Sequence, residues 1–199
     1  MGFIFWIIVF LITVTVHEYA HGRVAYHFGD MTAYHSGRLT FNPFKHIDPF
    51  WTVLLPILLM IMGAPPIGMA RPVPVNFLAL RNPKRDMIWV AVAGAAANIV
   101  FAAFLSFLMH IFKFNLLLLP IYFNIGLAVF NMIPIPPLDG GRVLAGLLPD
   151  GIAYQYGRLE PYGIFILMGL LWFGLLGHVV IPAINLVCVL LGVPRIIIG

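Results

Sequence analysis

Residues 87–112 and 116–135 each run for the length of a membrane crossing without one Asp, Glu, Lys or Arg. A spanning helix needs about 20 apolar residues to cross a hydrocarbon core of about 30 Å. In that medium backbone N–H and C=O groups find no water, so the chain must pair them internally, as helices do. Three more apolar stretches cover residues 3–16, 50–62 and 162–191. The first reaches spanning length if its helix continues through residue 21 to about residue 27. The second covers only about 20 Å at 1.5 Å per residue, and it contains Pro56. The last is interrupted at Gly177-His178 and Pro182, which allows either one long tilted span or a hairpin of two short helices.

Composition supports the membrane reading. Hydrophobic residues make up 62% of the chain and charged residues 9%, with a mean hydropathy of +1.02. Soluble domains carry about 25% charged residues. The expected fold is an all-α membrane protein, a polytopic helical bundle of about four to six membrane segments. It forms a single domain over residues 1–199, with a core at about 1–150 and C-terminal helical segments at about 160–193. The formal charge of +4 does not indicate a nucleic-acid partner, because the 11 Lys and Arg are scattered through loops, where topology accounts for them. The single cysteine, Cys188, excludes an internal disulfide. No cleavable signal peptide is visible, since the apolar run starts at Phe3 with no basic region before it.

Basic residues orient the chain. Arg23, Arg38 and Lys45 precede the short segment at 50–62, and Arg71, Arg81, Lys84 and Arg85 follow it. The positive-inside rule puts both groups in the cytoplasm, so that segment is expected to be re-entrant or interfacial. Residues 29–43 place Thr, Tyr and Phe between Gly and Asn-Pro breaks, a pattern that predicts a small β-hairpin. Residues 64–76 are proline-rich and are expected to be extended, with backbone free to accept another strand.

The chemistry concentrates where the first apolar run ends, at His17-Glu18-Tyr19-Ala20-His21. Helical residues four apart share a face, so both imidazoles can reach one metal ion, and Glu18 lies beside them, placed to take a proton from activated water. A chance match, or histidines capping a polar face, is the bland alternative. Ionisable groups at membrane depth are costly, which favours a functional site. A hydrolytic zinc typically takes three protein ligands and one water. Asp139, after the proline-rich run that follows Asn131, is the candidate third ligand; the pattern alone leaves it equally well placed as the N-cap of a helix starting near Gly140. Asn98 admits two readings, a contact to the metal water or substrate and an interhelical hydrogen bond. The small residues at 94–97 favour the structural one.

Three elements in order, HEYAH at 17–21, GAAAN at 94–98 and NMIPIPPLDGG at 131–141, resemble the site-2 protease family of intramembrane zinc metalloproteases. The flanking stretches at 37–43, 46–49 and 71–76 are also similar, and the resemblance covers about residues 10–150. It implies that His17, His21 and Asp139 bind one Zn2+, that Glu18 is the general base, and that Asn131 helps hold the substrate or the oxyanion. The implied substrates are single-span membrane proteins already trimmed by another protease, cut within or near their transmembrane helices. The apolar segments and basic residues make the expected chain multi-pass with the site toward the cytoplasm, in a prokaryotic plasma membrane. The chain shows no PDZ or CBS domain and resembles the minimal form. It departs from the family at Gly94-Ala95, where Gly-Pro is common, and at Phe50-Trp51, where a small residue and Gly are usual. The alternatives are a metal-binding membrane transporter, whose ligands should be strung along a path, and a pseudoprotease that binds transmembrane helices without cutting.

Overall fold

The computed structural model describes residues 3–62 and 70–196. Helix α1 (Phe3–His27) has 25 residues and no proline, and it closes at Gly29, whose φ of 107° is open to glycine at little cost. Helix α4 (Pro83–Phe112), with 30 residues, begins on a proline, and the Asp86 carboxylate reaches back to the Asn82 N–H at 2.7 Å. These two helices are long and apolar enough to span a membrane. On α1, Ile4, Ile8 and Ile12 form an exposed stripe at helical spacing, and α4 exposes Val100, Phe104, Phe107 and Ile111. Such continuous apolar surface is the mark of lipid-facing helices.

Helix α5 (Leu118–Asn131) was expected to span but has only 14 residues, about 21 Å of helix. Pro134, Pro136 and Pro137 end it early. Helices α6 (Asp139–Leu147) and α7 (Asp150–Gly157) follow, then α8 (Gly163–Trp172) and α9 (Leu175–Leu190). The axis turns by 83° between residues 150–172 and α9, at Gly174 with φ 70°, so the last apolar stretch is two helices rather than one tilted span. The break falls before Gly177 and Pro182, and Pro182 sits inside α9. The expected four to six segments therefore reduce to two helices of spanning length, or three if the bent pair counts as one.

Helix α4 is the centre of the bundle. Its C-terminal half packs with α5 and α9 around Ala102, Leu105, Met109, Ile121, Ile125 and Cys188. Its N-terminal end packs with the end of α1 around Ala25, Leu80 and Val90. Consistent with Ala95 in place of proline, α4 continues unbroken through residues 94–98.

The β-hairpin expected at residues 29–43 is not formed; no strand occurs among the described residues. Instead Thr32–His35 makes the single turn α2, because the buried Asp30 carboxylate accepts from both the Thr32 N–H and its hydroxyl. The aromatic residues that suggested a strand pack sideways: Phe41 stacks on Tyr19 at 3.8 Å and Tyr34 lies against Tyr26. The short segment begins as a π-helical turn at Pro49–Leu54 and continues as α3 (Leu55–Ile61), too brief to cross. Its flanks meet, the Arg71 N–H donating to the His46 carbonyl at 2.9 Å, so the chain returns to the end of the bundle it left. Residues 63–69, the first part of the expected extended segment, lie outside the described residues; residues 70–76 follow as an extended strap without helix.

Two predictions follow from this arrangement. Single-cysteine labels at Ser36 and Asn82 react from the same side of sealed vesicles; reaction from opposite sides contradicts the returning segment. Asp30→Ala removes the buried acceptor of the Thr32 and Asn76 amides and destabilises the protein by about 1–3 kcal/mol in thermal unfolding in detergent.

Candidate metal centre

His17 and His21 lie on one face of α1, both buried, with ring centroids 4.5 Å apart and the planes nearly perpendicular. Their Nε2 atoms are 3.0 Å apart, and Asp139 Oδ2 is 3.1 Å from each. The His21 Nδ1 sits 2.7 Å from the Val90 carbonyl, which can only accept, so this nitrogen carries the proton and Nε2 presents a lone pair. Two ring nitrogens and a carboxylate oxygen thus aim electron pairs at one point, an arrangement that repels itself unless a cation balances it. It is the one such group of metal-binding type among the described residues.

Zinc fits this donor set. Bonds of about 2.0–2.1 Å to nitrogen and oxygen in a tetrahedron imply ligand separations of about 3.3 Å, close to those observed. Three protein ligands leave the fourth corner for water. The backbone is shaped around the cluster as well. A Cβ at Gly94 would lie 2.6 Å from His17 Cε1 and closer still to His21 Nε2, so α4 can pass this near only with glycine there. A Cβ at Gly140 would run into the carbonyls of Met132 and Ile133, so the Asp139-Gly140-Gly141 turn nests against the loop leaving α5. That nesting carries Asp139, on the first turn of α6, to the histidines on α1. The N-cap position falls on Leu138, and Asp139 Oδ2 lies 3.1 Å from both His17 Nε2 and His21 Nε2, in a group that could hold a metal ion.

Glu18 is half-buried beside the cluster, and its Oε2 accepts a hydrogen bond from the Val73 N–H at 2.6 Å. The strap at 70–76 therefore crosses α1 directly over the site. Val73 is buried against Gly22, one turn beyond Glu18, and the Asn76 N–H is tied to Asp30 Oδ2 at 2.7 Å. Arg38 donates to the Arg71 carbonyl at 2.6 Å. Burial and the neighbouring Arg71 push its guanidinium below the ordinary value, while Glu18 pulls it the other way. Residue pattern alone did not reveal Arg38 or Val73 as parts of the site. A signal for Val73 exists: between Pro72 and Pro74 it carries the single backbone N–H of that triplet. Asn131 ends α5, and its amide donates to the Leu127 carbonyl at 3.0 Å rather than to a member of the cluster. Asn98 is fully buried one turn past Gly94.

Gly94→Ala is expected to abolish stoichiometric zinc binding in metal analysis of the purified protein. Gly151→Ala, where a Cβ meets nothing within 4 Å, keeps it.

No protein-family model and no solved structure matches the chain. Curated relatives do, under the printed name "Putative zinc metalloprotease". YwhC of Bacillus subtilis is 36% identical over 193 residues, covering 90% of this chain and 85% of its own. Rip2 of Mycolicibacterium smegmatis is 30% identical over 80% of this chain and 58% of its own length. Rip2 of Mycobacterium tuberculosis is 28% identical over 67% and 53%. Identity at the level of YwhC, over 90% of this chain, places it in the site-2 protease family.

Proposed function

We propose that the chain is an intramembrane zinc metalloprotease, hydrolysing peptide bonds within or near the transmembrane helices of single-span membrane proteins. The observation that carries this reading is the convergence of His17, His21 and Asp139 with Glu18 at their side, on a helix long enough to span. The printed names of the relatives, zinc metalloproteases, agree with it.

A zinc ion held by His17, His21 and Asp139 would lower the pKa of its water to about 7 and polarise the scissile carbonyl. Glu18 takes the proton from the attacking water and returns it to the leaving amine. The Val73 amide keeps the Glu18 carboxylate turned toward the strap, at a fixed distance from the histidines. Asn131, eight residues before Asp139, supplies its remaining amide donor to the substrate carbonyl as negative charge develops there.

Several features suit a membrane-embedded substrate. An apolar groove is lined by Phe10, Val14, Tyr122, Phe123, Leu127 and Phe130, from α1 and α5; Val14 precedes His17 by one turn and Leu127 precedes Asn131 by one. A helical substrate must unwind to expose its carbonyls. The Val75 N–H and the carbonyls of Val73 and Val75 make no hydrogen bond among the described residues, and so offer an unwound segment pairing groups. Trimming by an earlier protease would free the substrate to enter. The basic residues beside the site orient the chain with His17 and Glu18 toward the cytoplasm, in a multi-pass protein of a prokaryotic plasma membrane.

A transporter is disfavoured because the ligands meet at one point instead of marking a path. A non-cleaving binder would have no use for Glu18. Glu18→Gln is expected to keep bound zinc while lowering cleavage of a single-span substrate in proteoliposomes by about 100-fold or more. Wild-type turnover in that variant contradicts the mechanism.

A further inference from the structure

The two zinc-facing imidazoles are not held alike. A metal-bound histidine donates its other ring N–H to a carbonyl, carboxylate or water, which fixes tautomer and ring angle. His21 does so through Val90, but His17 Nδ1 is buried and has no hydrogen-bond partner among the described residues. With Nε2 turned to the cluster, Nδ1 carries the proton, so a buried donor is left to be satisfied.

The helix register points to a set of polar residues one turn along α1. Helices α1 and α4 run antiparallel, Val90 beside His21 and Gly94 against His17. Continuing that register puts Asn98 beside Thr13, four residues before His17. On α5, Asn124 joins the same layer, its Nδ2 donating to Thr13 Oγ1 at 3.1 Å. Thr13, Asn98 and Asn124 are all buried, Asn98 and Asn124 completely. Yet Asn98 Nδ2, Asn98 Oδ1 and Asn124 Oδ1 make no hydrogen bond. Unpaired buried polar atoms are rare, and Asn98 and Asn124 on two helices, with His17 Nδ1 one turn along the third, call for a common partner. The expected interhelical bond from Asn98 is not made. The unsatisfied set contains donors from His17 and Asn98 and acceptors from Asn98 and Asn124, which suits water, since it both accepts and donates and commonly makes about three bonds when buried. A second cation is disfavoured by the His17 N–H.

We propose that Thr13, Asn98 and Asn124 enclose a buried water site beneath the imidazoles, and that Asn98 is a positioning residue acting through this water on His17. The water accepts from His17 Nδ1–H and Asn98 Nδ2 and donates to Asn124 Oδ1. It thereby holds the His17 ring with Nε2 aimed at the cluster. This rests on the reading that His17 is a zinc ligand.

The test is zinc affinity of the full-length protein in detergent, measured by competition with a chelator, alongside thermal unfolding of the zinc-free protein. Asn98→Leu is expected to weaken zinc binding by about 10–100-fold while the zinc-free protein still unfolds cooperatively, because it fills the amide's volume with an apolar group that cannot hold the water. Asn98→Ser, which keeps a water-holding hydroxyl, restores most of the affinity. If Asn98→Leu does not fold, Asn124→Leu removes another wall of the site and is expected to give the same loss. Wild-type affinity in a folded leucine variant overturns the proposal, as does a loss that Asn98→Ser fails to rescue. His17→Ala separates the two readings: if it binds zinc as the wild type does, the ligand assignment itself fails. If it loses zinc while Asn98→Leu does not, only the water site fails.

Discussion

Three electron-pair donors held within about 3 Å of one another, in an interior with little water, constitute the constraint around which this molecule is arranged. His17, His21 and Asp139 come from helices on either side of α4, and each approach depends on a missing side chain. Gly94 lets α4 lie against the imidazoles, and Gly140 lets α6 fold onto the loop that ends α5. Without a cation such a cluster carries the cost of burying polar groups whose lone pairs oppose each other. A cation at their meeting point would offset that cost.

The second layer of organisation is the strap at 70–76, which joins Glu18 to the fold's periphery. One backbone amide, Val73 N–H, orients Glu18, and its neighbours are tied to His46, Arg38 and Asp30. The loop between α1 and α2, the returning segment and the strap are therefore one hydrogen-bonded unit resting over the end of α1. This explains why polar residues gather at 30–46 in a chain otherwise so apolar. They build the cover under which a carboxylate can stay beside two buried histidines.

Much of the site was legible because its signals are local or chemically unusual. The four-residue spacing of His17 and His21 and the placement of Glu18 are properties of one helix, and Asp139 stood out as a carboxylate after an apolar stretch. The fold was legible only in class. The strand propensity of Thr32, Tyr34 and Phe41 was outweighed by the hydrogen bonds from Thr32 to Asp30, and apolar length at 116–135 overstated α5 because prolines end it at Asn131. Asn98 illustrates the opposite limit. Its sequence context favours a helix–helix bond, whereas the structure leaves both amide atoms without one. Hydrogen-bond accounting across three helices is not a property any window of sequence contains.

Extended X-ray absorption at the zinc edge of the purified protein tests the central claim most directly. The account predicts a single zinc per chain with four nitrogen and oxygen neighbours at about 2.0–2.1 Å, two of them imidazoles. Asp139→Ala, which removes one of the three protein donors, is expected to lower the zinc bound per chain. A first shell with one imidazole or none, or wild-type zinc content in Asp139→Ala, contradicts it.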